Sequence, residues 1–195
     1  IFGLERVRDG STRVGAWSAA ATPGDRWRQG VGMVAEDRRR EGLALGLSVA
    51  DNLTLPSLQS AFIPPRRPAS DARPWIDRLC IRSAGPMQPT WQLSGGSQQK
   101  VALARLLHAD VDVLLLDEPT RGIDVASKAE IYGLIDAAAL EGRAVLLVSS
   151  YVPELLGICD RIAVMRQGRL GAARDVTQWD ARSILLEAAG VGVNV

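Results

Sequence analysis

VLLLDEPT, residues 113–120, runs four apolar side chains straight into two carboxylates and a proline. An unbroken apolar run of this kind is the pattern of a strand buried on both faces, which is the habit of parallel sheets. In an open parallel sheet, ligands collect outside the carboxyl ends of the strands. Asp117 and Glu118 therefore leave the strand where a nucleotide would lie. An aspartate there suits a magnesium ion held through water, and the adjacent glutamate suits polarisation of an attacking water. The same letters also describe a buried strand stopped by polar residues and Pro119. On this stretch alone both readings stand.

Upstream lies LSGGSQQK, residues 93–100. The Ser94 hydroxyl and the N–H groups of Gly95 and Gly96 meet the positive end of the helix that follows, a ready anion site. A glycine turn with a serine cap is the plainer alternative. The two motifs stand in fixed order with the gap filled by one helix, and that arrangement favours function. A nucleotide phosphate ordinarily also receives G-x-x-x-x-G-K-[ST], whose lysine reaches the β- and γ-phosphates. The lysines here are Lys100 and Lys128, which follow Gln99 and Ser127, and neither closes that motif.

Around these motifs the order is regular. Val31–Val34 reads as a strand, and Ser48 as the cap of a short helix. Prolines at 56, 64, 65, 68 and 74 predict a loop or broken connection over 56–74. Ser70 reads as a helix cap, with Ile76, Leu79 and Cys80 on the buried face. Helices are expected at Ser97–His108 and Ala126–Leu140, and a strand at Val145–Val148. Pro153 opens a short helix, Ile162–Met165 is a further strand turned at Gly168, and Thr177 caps a last helix to Ala189. Strands that alternate with helices and are apolar throughout imply an α/β fold with a parallel sheet covered on both faces. The proline-rich, partly helical block is expected to be inserted into that core.

Composition excludes several classes. With 47% hydrophobic and 23% charged residues the chain is globular, and a net charge of +1 gives no footing for nucleic acid. No apolar run approaches the roughly 18–20 residues that span a bilayer. Cys80, Cys159 and the single His108 are too few for a Cys/His metal site. Two lone cysteines suit a reducing compartment. The cluster Arg38-Arg39-Arg40 reads as a solvated loop, with pairing to a partner surface as the alternative. The chain opens at Ile1 on IFGLERVRDG, which reads as the continuation of a longer polypeptide.

LSGGSQQKVALAR followed by VLLLDEPTRGIDVASKAEIY resembles the signature, Walker B and D-loop of an ATP-binding cassette (ABC) ATPase. The likeness runs from about Val31 to Gly168. VGMVAEDRRREGL resembles the Q-loop region, with Glu36 in place of the usual glutamine. VLLVSSYVPELLGICDRIAVM resembles the switch region, with Ser150 where most cassettes carry histidine. Among such ATPases the chain is most similar to the second, carboxyl-terminal nucleotide-binding half of duplicated bacterial importers of the ribose and galactose type.

That resemblance implies a P-loop NTPase-like core at about 1–49 and 110–195, with a helical, signature-bearing subdomain at about 50–109. The P-loop portion is expected upstream of Ile1. It also implies MgATP hydrolysis coupled to sugar uptake, at a composite site shared with a second nucleotide-binding half. Ser94, Gly95 and Gly96, with Gln98 beside them, would meet the γ-phosphate held by that other half. Asp124 would communicate between sites. Asp117 (magnesium, through water), Glu118, Glu36 and Ser150 would line this half's own degenerate site. The implied partners are the other half, transmembrane permease subunits and, indirectly, a periplasmic or surface sugar-binding protein. The implied place is the cytoplasmic face of the cell membrane, and the isolated chain is expected to be inactive. Two other classes remain open. One is a regulatory nucleotide-binding half without turnover of its own, and the other a soluble ABC protein outside transport, whose long insertions or heptads the sequence lacks.

Overall fold

Val31–Val34 (β1) lies parallel to Val113–Asp117 (β2), with Val31 opposite Val113 and Val34 opposite Leu116. The structure, a computed structural model, describes residues 1–7, 9–57 and 67–191. Successive residues of a strand face opposite sides of the sheet, and Leu114, Leu115 and Leu116 are all buried. β2 is therefore covered on both faces, as its unbroken apolar run requires. Ala144–Val148 (β3) completes a sheet of order β1-β2-β3. β3 departs from the expected pattern, because Leu146 and Val148 are 44% and 54% exposed. It stands at the end of the strand order and shows alternate residues to solvent.

The chain divides into two compact units, Ile1–Leu146 and Leu147–Val195. In the first, Pro23–Arg28 (α1) opens on a capping box between Thr22 and Asp25. Val49–Thr54 (α2) does the same through Ser48 and Asp51, as the sequence implies for Ser48. The expected loop over 56–74 gives way to helix from Arg67, since Arg67–Arg78 (α3) contains Pro74. A proline inside a helix forfeits one hydrogen bond. The burial of Ala72, Ile76 and Leu79 on one face offsets that loss. Ser70 is thus inside α3 rather than its cap. Cys80 falls beyond the helix end in a left-handed conformation (φ 48°) and is exposed, not buried. Prolines 64 and 65 lie outside the described residues.

Gly95–His108 (α4) is the centre of this unit. It packs against α2, α3 and β1, and against Val125–Leu140 (α5). Val101, Ala102, Leu103, Ala104 and Leu106 are all buried, so more than one face of the helix is covered. Each large apolar side chain taken fully out of water contributes roughly 1.5–3 kcal/mol. The amino end of α4, where the glycines stand, is therefore held by a core helix.

In the second unit, Val152–Ile158 (α6) has the expected proline in its first turn. The expected strand Ile162–Met165 is instead divided between two antiparallel ribbons. Arg161–Ile162 (β4) pairs with Arg174–Asp175 (β7), and Met165–Arg166 (β5) with Arg169–Leu170 (β6). Gln167 (φ 48°) and Gly168 (φ 77°) turn the second ribbon. Two positive φ values in a two-residue turn match the twist of the strands they join. Ile162, Val164, Trp179 and Ile184 form the core here, and Trp179 Nε1 donates to Ile162 O at 3.2 Å. The last helix, Ala181–Ala189 (α7), is capped by Asp180 rather than Thr177. Thr177 lies in a preceding 3₁₀ turn whose cap is Asp175. A carboxylate at 180 accepts from Ser183 N at 2.6 Å, a bond available only one turn before α7.

Candidate functional site

Ser94 takes an extended conformation (φ −60°, ψ 158°) and caps α4, its hydroxyl accepting from Ser97 N at 3.3 Å. The N–H groups of a helix's first turn have no carbonyl partner within the helix, and the macrodipole makes that end positive. Gly95 and Gly96 occupy this turn. Neither has a positive φ, so their lack of a side chain answers to neighbours. A Cβ on Gly96 would stand 2.3 Å from Ser127 Oγ and 2.6 Å from Ser127 Cβ. A Cβ on Gly95 would stand 2.6 Å from Arg38 Nη2.

A buried polar chain fixes the approach to this turn. Asn52 is fully buried, and its Nδ2 donates to Ala44 O at 2.9 Å and Thr90 Oγ1 at 3.0 Å. Its Oδ1 accepts from Ala44 N at 2.8 Å. Thr90 O in turn accepts from Gln98 Nε2 at 3.1 Å. Gln98 thus borders the glycines with its amide nitrogen engaged inside the helical part. Fully satisfied buried networks of this sort favour one geometry over others.

Asp117 ends β2 half-buried, and Glu118 follows with φ 46°. Left-handed backbone at a non-glycine residue costs roughly 1–2 kcal/mol and often marks a working position. Burial raises the Asp117 pKa, and the charges of Glu118 and Glu41 raise it further. A field that resists a lone carboxylate there is one that a cation relieves. Among the described residues no group of three or more His, Cys, Asp or Glu is arranged to hold a metal. Asp117 fits a magnesium ion only in the manner common for that ion, as one carboxylate alongside waters and phosphate.

From Glu118 the chain turns, with Arg121 N donating to Glu118 O at 3.1 Å, and passes Gly122 (φ 68°) to Asp124. Asp124 caps α5, accepting from Ser127 N at 2.9 Å and from Ser127 Oγ at 2.7 Å. Those bonds, the backbone one first, hold its carboxyl below the usual pKa. Ser127 therefore touches both Gly96 and Asp124, and the glycine turn rests on the first turn of α5.

The segment after β1 grips the same loop. Glu36 forms an ion pair with Arg121, and Arg38 Nη1 donates to Arg121 O at 3.1 Å. Asp37 fixes the π-helical turn Arg38–Gly42 by accepting from Arg39 N at 3.0 Å and Arg40 N at 3.2 Å. Burial lowers the pKa of the Arg38 guanidinium, with the Arg39 charge acting the same way. Only Arg39 and Arg40 match the expected solvated cluster, because Arg38 turns inward. Between these parts lies a depression of about 280 Å³, bordered by Arg38, Arg39, Trp91, Gly95, Gln98 and Gly122 among others.

The first unit thus brings together Ser94, Gly95, Gly96, Gln98, Glu36 and Asp124 around one loop, with Asp117 and Glu118 at its start. Ser150 belongs to the second unit, where it is exposed just beyond β3, beside a turn in which Ser149 Oγ accepts from Tyr151 N at 3.0 Å. Sequence reasoning passed over Arg121, Ser127 and Thr90. The spacing Asp124-x-x-Ser127 is a readable cap signal, whereas nothing local marks Arg121 or Thr90.

Residues 1–121 match the family described as ABC transporter. Among curated proteins, the chain is 42% identical over 187 residues to the putative ribose/galactose/methyl galactoside import ATP-binding protein 3 of Burkholderia ambifaria, covering 91% of this chain and 36% of that protein. It is 42% identical over 194 residues to ribose import ATP-binding protein RbsA 3 of Rubrobacter xylanophilus, covering 98% of this chain and 39% of that protein. The chain spans little more than a third of the length of these relatives. A nucleotide-free ATP-binding cassette from an ABC transporter superposes with a TM-score of 0.79 at 16% identity, covering 100% of this chain and 80% of that one. The dimeric, ADP- and phosphate-bound post-hydrolysis state of another cassette gives 0.74 at 21% identity, covering 90% and 77%. At those identities the likeness is one of fold.

Proposed function

The chain belongs to the ABC transporter family, and from that membership we propose that it is the carboxyl-terminal ATP-binding half of a sugar importer. It contributes the signature turn and Asp124 to an ATP site whose P-loop belongs to the other nucleotide-binding half. One observation carries this reading: Gly96 and Asp124 meet through Ser127, so signature and D-loop present one surface at the amino end of α4. The names of the relatives, import ATP-binding proteins for ribose and galactose, support a sugar as the solute.

On this reading the Gly95 and Gly96 N–H groups face the γ-phosphate of ATP bound across the interface, where donors and dipole already point. Their backbone accepts the phosphate closely because neither carries a side chain. Asp117 would hold magnesium through water in this half's own site, the metal there neutralising phosphate charge. Glu118 stands next to it as the water-polarising group. Closure of the two halves moves the attached permease subunits, a domain-level switch driven by nucleotide contacts. A sugar-binding protein outside the membrane delivers the solute. The chain itself works at the cytoplasmic face, and no described helix is long and apolar enough to cross the bilayer. Ser150, in the histidine's place, favours a second reading in which this half's own site binds nucleotide without turning it over.

The test is Gly95→Asp in the assembled transporter. A carboxylate would take the phosphate's place and pair with Arg38, so ATPase and sugar uptake should fall by about 10²–10³. Near-normal activity in that variant overturns the composite site.

A further inference from the structure

Arg38 is the point at which three separate stretches of chain meet. Its Nη1 donates to Arg121 O at 3.1 Å, and its Nη2 lies 2.6 Å from where a Gly95 side chain would begin. Its own backbone opens the π-helical turn that Asp37 caps. Glu36, two residues earlier, pairs with the Arg121 side chain. Segment 36–38 therefore holds Arg121 at both ends, by its guanidinium through Glu36 and by its carbonyl through Arg38. Arg121 is itself tied back to Glu118 O at 3.1 Å.

We propose that Arg38 is a positioning residue for the signature turn, a strut that sets Gly95 against the loop at 118–122 and so fixes the geometry in which Gly95 meets the γ-phosphate. This rests on the composite-site reading above and adds to it a residue outside the signature. The guanidinium suits the role because it is planar and forked. One arm is spent on a backbone carbonyl while the other fills the space that glycine leaves open. Arg38 Nε is buried with no hydrogen-bond partner among the described residues, so the side chain is held there by its two arms and its packing. A lysine has a single ammonium on a flexible stem and cannot span both contacts. The strut also joins the segment that follows β1 to the phosphate-facing turn. A displacement of residues 36–42 is thereby transmitted to Gly95 with no change in the core of α4.

The distinguishing measurement uses the full-length protein assembled with its permease, comparing Arg38→Ala, Arg38→Lys and Gly95→Asp with the parent. The signature meets only the γ-phosphate, so loss of the strut should raise half-saturation by ATP about tenfold, with kcat much less affected. Inhibition by ADP, which lacks that phosphate, should stay within about twofold of the parent. Arg38→Lys should share the defect, since it keeps the charge and loses the fork. Full rescue by lysine, no shift in either variant, or an equal shift for ATP and ADP overturns the proposal. Gly95→Asp separates the two levels. If it alone is crippled, the strut is wrong and the composite site survives, whereas an active Gly95→Asp removes the site on which the strut depends.

Discussion

Lys100 Nζ lies 2.7 Å from Glu130 Oε2, joining α4 to α5 from opposite sides of the solvent boundary: the lysine side chain is 4% exposed and the glutamate 41%. Lys100 Nζ also donates to Cys80 O at 3.1 Å. The buried partner carries the risk. Glu130→Ala strands an ammonium with one carbonyl for company, whereas Lys100→Met leaves a carboxylate in water. Glu130→Ala should destabilise by roughly 1–3 kcal/mol, less than a fully buried pair because water reaches the glutamate. Lys100→Met should cost less. Urea unfolding of both variants ranks them.

The same pair predicts a pH effect. The hydrogen bond and then the charge of Lys100 lower the Glu130 pKa from its ordinary 4.5. A carboxylate whose folded pKa is depressed contributes its full share above the unfolded value and loses it as pH falls through the lowered one. Below about pH 4.5 the parent should therefore lose stability more steeply than Lys100→Met. Parallel acid limbs for the two proteins would show that the contact contributes nothing in solution.

Gly96 and Ser127 should be coupled. Gly96→Ala forces a methyl group against Ser127 and should cost about 1–3 kcal/mol. Ser127→Gly removes the obstructing side chain, so the double variant should recover part of that loss. A coupling on the order of 0.5–3 kcal/mol is expected from a double-mutant cycle, and strict additivity counts against the packing described.

Glu118→Gln tests the division of labour between the two ATP sites. Glutamine keeps the shape and the left-handed backbone and removes only the carboxylate. On the proposed composite-site reading Glu118 serves the degenerate site and not the competent one, so most ATPase activity and uptake should survive. A defect as deep as that of Gly95→Asp makes the two sites equivalent.

The 195-residue chain by itself should release no phosphate from MgATP above a buffer blank, since neither lysine closes a P-loop motif. Clear magnesium-dependent turnover refutes that expectation.

What could be read in advance follows from how local each signal is. β2 and α4 were legible because apolar runs and glycine before a helix encode themselves in a few neighbouring residues. The positions of Asp117 and Glu118 at the end of β2, and of Ser94 as the cap of α4, were legible for the same reason. α3 was misjudged because proline's penalty is local while its compensation, the burial of Ala72, Ile76 and Leu79, is tertiary. The same holds for Arg38. Its neighbours Arg39 and Arg40 make a cluster that reads as solvated, and only the fold reveals Gly95 and the Arg121 carbonyl within reach. Thr177 failed for a simpler reason, two competing caps three residues apart, of which Asp180 stands directly before the helix.

The cap at Asp124 carries one further consequence, in the arithmetic of lone pairs. A carboxylate offers about four acceptor positions. Ser127 takes one on Oδ1 through its N–H and one on Oδ2 through its hydroxyl. The backbone N–H groups of Asp124 and Ala126 bear on the same carboxylate, and the side chain is exposed. A donor on a facing surface would therefore share oxygens that the first turn of α5 already engages, which the two oxygens of a carboxylate allow. An asparagine there would surrender half of that capacity, since its amide nitrogen accepts nothing, and the helix and the facing donor would compete for the oxygen that remains.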